Sequence, residues 1–226
     1  MTSIFRAVLG DEFERLHPQL QRRFSVGLTS DLACLGRGVM EEIWHGPPWV
    51  RPFLALGGTR NILAPRRGRQ VPFTIENVPY LDTHGRETVT FVRTFRFPGR
   101  SHRFDAQMVL APGGGHIVDY LGTHQHLVSD LHPAVDHWGG LIIRSGAHRF
   151  IEGPVDIGVP ELIGADATVR ESFDDEAGCF RIQVNVVNRR FGPLFGYHGA
   201  FRAEFTEASR LGVRPGLRPV REVALP

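Results

Sequence analysis

The chain has 226 residues, of which 42% are hydrophobic and 22% are charged, and its formal net charge is +2. This composition excludes a disordered or collagen-like chain, and the length suits one well-buried domain. The sequence has no run of eighteen apolar residues and no signal-peptide pattern, so we predict a cytoplasmic protein with no membrane span.

All 26 basic residues are arginines, and the chain contains no lysine. This excludes Schiff-base and pyridoxal-phosphate chemistry, the P-loop lysine and the kinase lysine. A net charge of +2 does not indicate a nucleic-acid partner. The two cysteines, Cys34 and Cys179, form no CxxC motif, which favours buried free thiols over a structural zinc site. We therefore predict neither a cofactor nor a nucleic-acid partner.

The N-terminal segment has the period of an amphipathic helix. Its apolar residues recur every three or four positions at Ile4, Val8, Phe13, Leu16, Leu20 and Phe24. Pro18 predicts a break near His17 and the start of a second short helix. Another short helix is expected after Pro48, ending at Gly57 and Gly58.

From about residue 70 the apolar period changes to two, which is typical of β-strands. The predicted strands cover residues 71–76, 88–97, 103–110, 116–122, 124–135, 140–151, 166–173, 179–188 and 195–205. No helix-length segment separates them, so we predict a mainly β fold with an N-terminal helix. The expected architecture is an antiparallel up-and-down barrel of the calycin type, or else a two-sheet sandwich. Residues 1–208 would form this domain, and residues 209–226 a flexible C-terminal arm.

The C-terminal strands carry a family resemblance. The most specific stretch is Gly-Pro-Leu-Phe-Gly-Tyr at 192–197, supported by 167–178, 180–184 and the segment Val-Asp-Tyr-Leu-Gly at 118–122. Over nearly its whole length the chain resembles a bacterial domain-of-unknown-function family numbered 4166. Members are often fused behind a saccharopine-dehydrogenase-like nucleotide domain, which this chain lacks. The resemblance implies a stand-alone module and supplies no activity.

Arg93 is the first candidate functional residue. It shares a strand face with Phe91 and Phe95, a face whose apolar character indicates burial. A buried guanidinium needs a partner, since an uncompensated charge costs several kcal/mol. Two hypotheses stay open: a structural ion pair with Asp105 or Asp119, or an anchor in a cavity for a substrate carboxylate or enolate.

Asp119 and Tyr197 are the next candidates. Asp119 stands between Ile117 and Leu121 and is expected to be a partly buried acid with a raised pKa. Tyr197 shares its strand face with Phe201, so its phenol should point into the core or into a cavity.

Histidines are concentrated between positions 116 and 137. On an extended strand, His124, His126, Asp130 and His132 would share one face, and an HxH pair can chelate a transition metal. A solvated histidine face is the alternative that we favour. The same histidines, His126 above all, are also candidates for metal-free acid–base work near neutral pH.

These residues lead to a functional hypothesis. We expect a cofactor-free cyclase or isomerase of specialised metabolism, acting on an apolar polyketide- or terpenoid-like substrate in a barrel cavity. Arg93 would stabilise developing negative charge on a carbonyl oxygen, Asp119 or His126 would move the proton, and Tyr197 would assist. The predicted ligand-binding residues are Phe91, Phe95, Asp105, Met108, Tyr120, His124 and Phe201.

Two other functions stay open at this point. One is a non-catalytic lipid or metabolite carrier using the same cavity, and the other is a metal-dependent barrel enzyme using His124 and His126. The sequence does not determine the oligomeric state, for which a homodimer is one option. An error of one residue in the alternation would exchange the inner and outer faces of a strand.

Overall fold

The computed structural model describes residues 2–152, 155–159 and 164–224. Its α-helices are α1 (Ile4–Leu9), α2 (Pro18–Phe24), α3 (Arg51–Thr59) and α4 (Ala208–Leu211), with 3₁₀ helices at Gly10–Arg15, Pro48–Val50 and Pro215–Leu217. Its strands are β1 (Leu32–His45), β2 (Gly68–Asn77), β3 (Pro79–Leu81), β4 (Glu87–Thr90), β5 (Val92–Phe97), β6 (Arg100–Phe104), β7 (Ala106–Leu110), β8 (Ile117–Leu121), β9 (Leu127–Val135), β10 (Leu141–Glu152), β11 (Val155–Gly158), β12 (Asp166–Asp174), β13 (Cys179–Asn188) and β14 (Gly192–Glu207). No helix of the described residues is long and apolar enough to cross a membrane.

The strands form one antiparallel sheet in the order β3-β4-β7-β8-β9-β10-β12-β13-β14-β1-β2-β5-β6, with β11 paired to β10. β2 continues into β3, and β4 into β5, because the residue pairs Phe73–Phe95 and Pro79–Val89 keep the same register across the short interruptions. At the other side of the sheet the last strand, β14, pairs with the first, β1. The sheet therefore curls into a barrel, as the alternation predicts, rather than dividing into a two-sheet sandwich.

The N-terminal helices follow the predicted pattern, including its interruption. The Ser3 side chain accepts a hydrogen bond from the backbone N–H of Arg6 at the start of α1. Pro18 begins α2, and the His17 Nδ1 accepts from the Gln19 N–H at 3.2 Å. The apolar residues are buried inside the sheet, where the Phe5 ring lies 6.0 Å from that of Phe91.

Strand β1 is the longest element that the alternation does not predict, since the predicted strands begin near residue 70. Two of its inward positions are Gly36 and Gly38, where an apolar side chain would normally mark the face. A Cβ at Gly38 would lie 2.0 Å from the Ala200 carbonyl oxygen, and one at Gly36 would lie 2.5 Å from Ile75. Close packing thus requires glycine here and removes the sequence signal of the strand.

The C-terminal segment is packed against the barrel and is not a free arm, which corrects the sequence-based expectation. Leu217 is 5% exposed and contacts a small cluster outside the barrel. The backbone N–H of Val220 donates to the Thr123 carbonyl at 2.7 Å, and that of Val223 donates to the Gln125 Oε1 at 2.7 Å. These contacts attach residues 208–224 to the outer wall.

The barrel has two chemically different ends. At the N-terminal end the 3₁₀ helix after α1 packs on β9, and the His17 N–H donates to Gly139 in the β9–β10 turn at 2.9 Å. At the other end α3 packs on β6, and the Gly46 N–H donates to the Leu194 carbonyl at 2.7 Å. We call the second one the cavity end, because the internal cavity lies beneath α3.

Candidate functional site

A cavity of about 370 Å³ lies inside the barrel. Its walls are mostly aliphatic and aromatic side chains, including Val50 and Leu54 from the α3 region, Phe91, Met108, Ile182 and Phe195. A few polar side chains also reach it: Arg23, Arg93, Asp119, Ser129, Ser145, His148, Glu171 and Tyr197. An apolar chamber with a few convergent polar groups is the usual form of a small-molecule site.

Arg93 projects from β5 into this cavity and is 6% exposed. Its guanidinium carbon lies 4.7 Å from the Phe104 ring centre and 5.8 Å from that of Phe91. Its Nε has no hydrogen-bond partner, and no carboxylate of the described residues comes within 4 Å of the guanidinium. The charge is therefore stabilised by aromatic faces and by longer-range attraction to Asp119.

Asp119 projects from β8 into the same cavity and is 6% exposed. Its Oδ1 is buried and has no hydrogen-bond partner in the described part of the chain. Burial raises the pKa of Asp119 to about 7, although the positive charge of Arg93 opposes the rise. Both the protonated and the ionised forms of this carboxyl group are therefore populated near neutral pH.

His148 belongs to the same polar row, although the alternation does not identify it. Asp119 pairs with Ser129 on β9, and Ser129 pairs with His148 on β10, so the three side chains follow one another across neighbouring strands. The pairing register shifts between Ser145 and His148. This bulge places the histidine on the inner face, where strict alternation would place Ala147.

The environment of His148 favours the neutral form of its imidazole, which can accept a proton. Neither ring nitrogen has a hydrogen-bond partner of normal geometry in the described residues. Burial lowers the pKa of His148, and the negative charge of Asp166, a weak contact with the Ala165 backbone and the negative charge of Asp130 oppose that decrease. A neutral histidine thus lies two strands away from a carboxyl group that is half-protonated near pH 7.

Tyr197 closes the cavity from β14, as its strand face predicts. The side chain is fully buried, and its ring packs edge-on against Phe95 with 5.2 Å between ring centres. Its hydroxyl has no hydrogen-bond partner among the described residues. Burial raises the pKa of Tyr197, with Arg93 opposing the effect, so the phenol stays protonated and can donate to a ligand.

Arg23 and Glu171 form a buried ion pair that also borders the cavity. Their side chains are 1% and 4% exposed, and Arg23 Nε donates to Glu171 Oε1. Arg23 Nη1 also donates to Asn77 Oδ1 at 2.8 Å and to Cys34 Sγ at 3.2 Å. Unlike Arg93 and Asp119, these two groups satisfy each other, which favours a structural role.

Two predicted ligand-binding residues lie inside the barrel but away from the cavity surface. Phe95 and Phe201 are 0% and 1% exposed, and each packs on Phe73, at 5.3 Å and 6.0 Å between ring centres. Neither belongs to the cavity lining. Phe95 packs against Tyr197, and neither Phe95 nor Phe201 offers a surface to a ligand.

Tyr120 and Asp105 lie outside the cavity, contrary to the expectation. Because Asp119 points inward, its strand neighbour Tyr120 points outward, where its hydroxyl oxygen accepts from Arg86 at 3.0 Å. Asp105 is buried but pairs with Arg103 through two contacts of 2.8 and 2.9 Å. It is therefore not the close partner of Arg93.

His124 and His126 also lie outside the cavity, in the turn that precedes β9. The strand predicted to begin at His124 begins at Leu127, since Gln125 has φ 54° and interrupts the extended backbone. The two rings stack with 5.3 Å between their centres, and His126 Nδ1 lies 2.5 Å from Glu152 Oε2. Within the described ranges no three potential ligand side chains converge on a metal position.

Comparisons with known proteins agree with the sequence resemblance. A protein of Bacillus subtilis strain 168 carrying the name "Uncharacterized protein YndH" is 33% identical over 208 residues, a match that covers 92% of this chain and 100% of that protein. The family model described as "Domain of unknown function (DUF4166)" matches residues 16–201. That range contains Arg93, Asp119, His148 and Tyr197. The chain belongs to the DUF4166 family.

Proposed function

We propose that the protein binds an apolar small molecule in the barrel cavity and acts on it as a cofactor-free isomerase or cyclase. The volume of about 370 Å³ is near the lower limit for ligand sites, which favours the smaller polyketide- or terpenoid-like molecules. The apolar walls would take up the hydrocarbon body of such a ligand.

One observation carries the proposal: both side chains line an apolar cavity, and neither Arg93 Nε nor Asp119 Oδ1 has a hydrogen-bond partner among the described residues. Burying a charged or polar group without a partner costs free energy, and natural proteins tolerate this cost mainly at functional sites. A ligand carbonyl or carboxylate oxygen would accept hydrogen bonds from the guanidinium and restore the missing interactions. The satisfied pair of Arg23 and Glu171 offers no such opening.

The proposed chemistry is a proton transfer that needs no oxidant. A base, either ionised Asp119 or neutral His148, removes a proton from the carbon next to a ligand carbonyl, and the C–H electrons move onto the oxygen. Arg93 stabilises the enolate that forms. The protonated base then returns the proton to a different carbon, which isomerises the ligand. In a cyclisation the enolate carbon instead attacks a second carbonyl carbon of the ligand, and the proton goes to the oxygen of that carbonyl.

The binding step is tested with 8-anilinonaphthalene-1-sulfonate, an apolar fluorescent probe that carries one anionic group. Arg93→Met should weaken probe binding roughly 10-fold or more, because a hydrogen bond to a charged group contributes about 1.5–3 kcal/mol. The matched control is Arg96→Met, a change on the same strand at an exposed position. Equal affinities for the two variants would disprove an anion site at Arg93.

The catalytic step is tested with a panel of apolar β,γ-unsaturated ketones, whose isomerisation to conjugated ketones changes their ultraviolet absorbance. Asp119→Asn should abolish the conversion, whereas Asp11→Asn, at an exposed position of the N-terminal segment, should preserve it. If the probe binds at Arg93 but no ketone is converted and none exchanges its α-hydrogens with deuterated water, the protein is a carrier and the enzyme proposal fails.

A further inference from the structure

Large apolar side chains are exposed at the cavity end of the barrel. Trp49 and Phe191 are each 45% exposed and contact each other edge-on, with 5.0 Å between ring centres. Leu56 on α3 is 69% exposed. Their chain neighbours Val50 and Leu54 line the cavity from the inside. Trp49 and Leu56 are thus on the outer surface of the segment that covers the cavity, and Phe191 in the β13–β14 turn packs against Trp49.

Arginines surround these apolar side chains. Exposed examples are Arg51, Arg66, Arg67, Arg100 and Arg190, and none of them has a carboxylate of the described residues within 4 Å. The Arg190 guanidinium lies 5.6 Å from the Phe191 ring centre, and Arg67 Nη2 donates to the carbonyl oxygens of His45 and Gly46. The carboxylates of Glu42 and Asp166 at this end are already paired, with Arg69 and Arg189.

The opposite end of the barrel has the reverse charge. Its turns contain Asp82, Asp136 and the run Asp174–Glu176, and the N-terminal segment contributes Asp11 and Glu12. Asp82, Asp174 and Glu12 are paired with arginines, whereas Asp11, Asp136 and Glu176 have no ion-pair partner within 4 Å in the described part of the chain. Because the whole chain has a net charge of only +2, this separation gives the barrel a positive cavity end and a negative N-terminal end. A negatively charged surface would attract the cavity end and repel the N-terminal end, so the molecule would approach with its cavity end facing that surface.

We infer that the cavity end docks onto an anionic lipid bilayer. Arginines near such a surface are attracted to the lipid headgroups, and exposed tryptophan, phenylalanine and leucine enter the boundary between headgroups and acyl chains. The two requirements coincide on one end of this barrel, around α3. The passage of an apolar ligand between the bilayer and the cavity rests on the proposed function, whereas docking itself does not.

Docking is measured by co-sedimentation of the full chain with vesicles of phosphatidylcholine, either alone or mixed with phosphatidylglycerol. We expect binding to the mixed vesicles only. The double change Arg51→Gln and Arg190→Gln should weaken it on the order of 25-fold, about five-fold for each arginine. The control pair Arg37→Gln and Arg202→Gln, exposed on neighbouring strands of the barrel wall, should change it less than two-fold.

The apolar contribution is measured with a pair of tryptophan changes. Trp49→Ala should weaken vesicle binding several-fold, whereas Trp138→Ala should not, because Trp138 is 81% exposed in the β9–β10 turn at the N-terminal end. Circular dichroism and thermal unfolding verify that each variant is folded.

Three results would overturn the inference: no binding to either vesicle, equal binding to neutral vesicles, or equal losses in the two arginine pairs. Arg93→Met separates this inference from the proposed function, since it should impair probe binding in the cavity and leave vesicle binding unchanged. If the natural protein binds the mixed vesicles, but Arg93→Met and Arg96→Met bind the fluorescent probe equally well, docking stands and the proposed function alone is refuted.

Discussion

Asp119→Asn should stabilise the protein at neutral and alkaline pH, although it removes a proposed catalytic group. The folded-state pKa is about 7, against about 3.9 for an unperturbed aspartate. Between these values the folded protein holds a proton that the unfolded chain has lost, so the free energy of unfolding decreases as the pH rises. The decrease ends above about pH 7, once Asp119 is ionised in both states.

The size of the effect follows from the shift. Three pKa units at about 1.4 kcal/mol each set an upper limit of about 4 kcal/mol for the destabilisation caused by ionised Asp119 at pH 8. Asparagine has nearly the same shape and no charge to bury. We therefore expect Asp119→Asn to raise the free energy of unfolding by about 2–4 kcal/mol at pH 8 and to have little effect near pH 4.

The assay is urea unfolding of both proteins, followed by circular dichroism at several pH values between 4 and 8.5. Asp130→Asn is the control, because this carboxylate is on the outer face of β9 next to His116, with 3.5 Å between Asp130 Oδ1 and His116 Nε2. A difference between Asp119→Asn and the natural protein that does not vary with pH would refute the raised pKa. Loss of stability at pH 8 would show that ionised Asp119 is well solvated or paired.

Three further predictions concern the packing around the cavity. Glu171→Gln should lower the free energy of unfolding by about 3–5 kcal/mol in urea titrations, because it leaves Arg23 buried without its carboxylate, and the double change Arg23→Met with Glu171→Leu should restore most of the loss. Gly38→Ala should cost about 1–3 kcal/mol or more, since its Cβ would meet the Ala200 oxygen, whereas Gly216→Ala, with open space around the added atom, should be neutral by the same measurement. Truncation after Leu211 should lower the thermal midpoint, because it exposes the surface now covered by Leu217, whose burial alone contributes about 1.5–3 kcal/mol; an unchanged midpoint would show that the segment packs without stabilising the barrel.

Alternation by itself identified three of the polar residues that reach the cavity, Arg93, Asp119 and Tyr197, but not Ser129 or Glu171. Arg93, Asp119 and Tyr197 lie on strands whose inner faces are apolar at every second position, so one polar member of such a face is visible in the sequence. The same rule excludes Tyr120 once Asp119 is placed inside. Alternation did not identify His148, because a bulge in β10 shifts the inward-facing positions by one residue and a bulge has no clear sequence signal.

Local backbone geometry explains the other errors. The turn at Gln125 separates His124 and His126 from β9, and a single residue with positive φ does not alter the pattern of apolar residues. Strand β1 lacked a readable inner face because glycines occupy the positions where Phe201 and Ala200 approach closely. The C-terminal segment resembles a flexible arm in composition, yet it has specific partners on the barrel wall.

The amino-acid sequence alone determined the fold class, the N-terminal helices with their break at Pro18, and the absence of lysine chemistry. Each of these depends on local periodicity, on one residue type or on composition. Only the tertiary structure decided which charges are paired: Arg23 pairs with Glu171, 148 positions away, and Asp105 pairs with Arg103, two positions before it, and not with Arg93. Arg93 and Asp119 are left facing the cavity with unpaired polar atoms for the same reason: pairing is a property of distance in the folded chain.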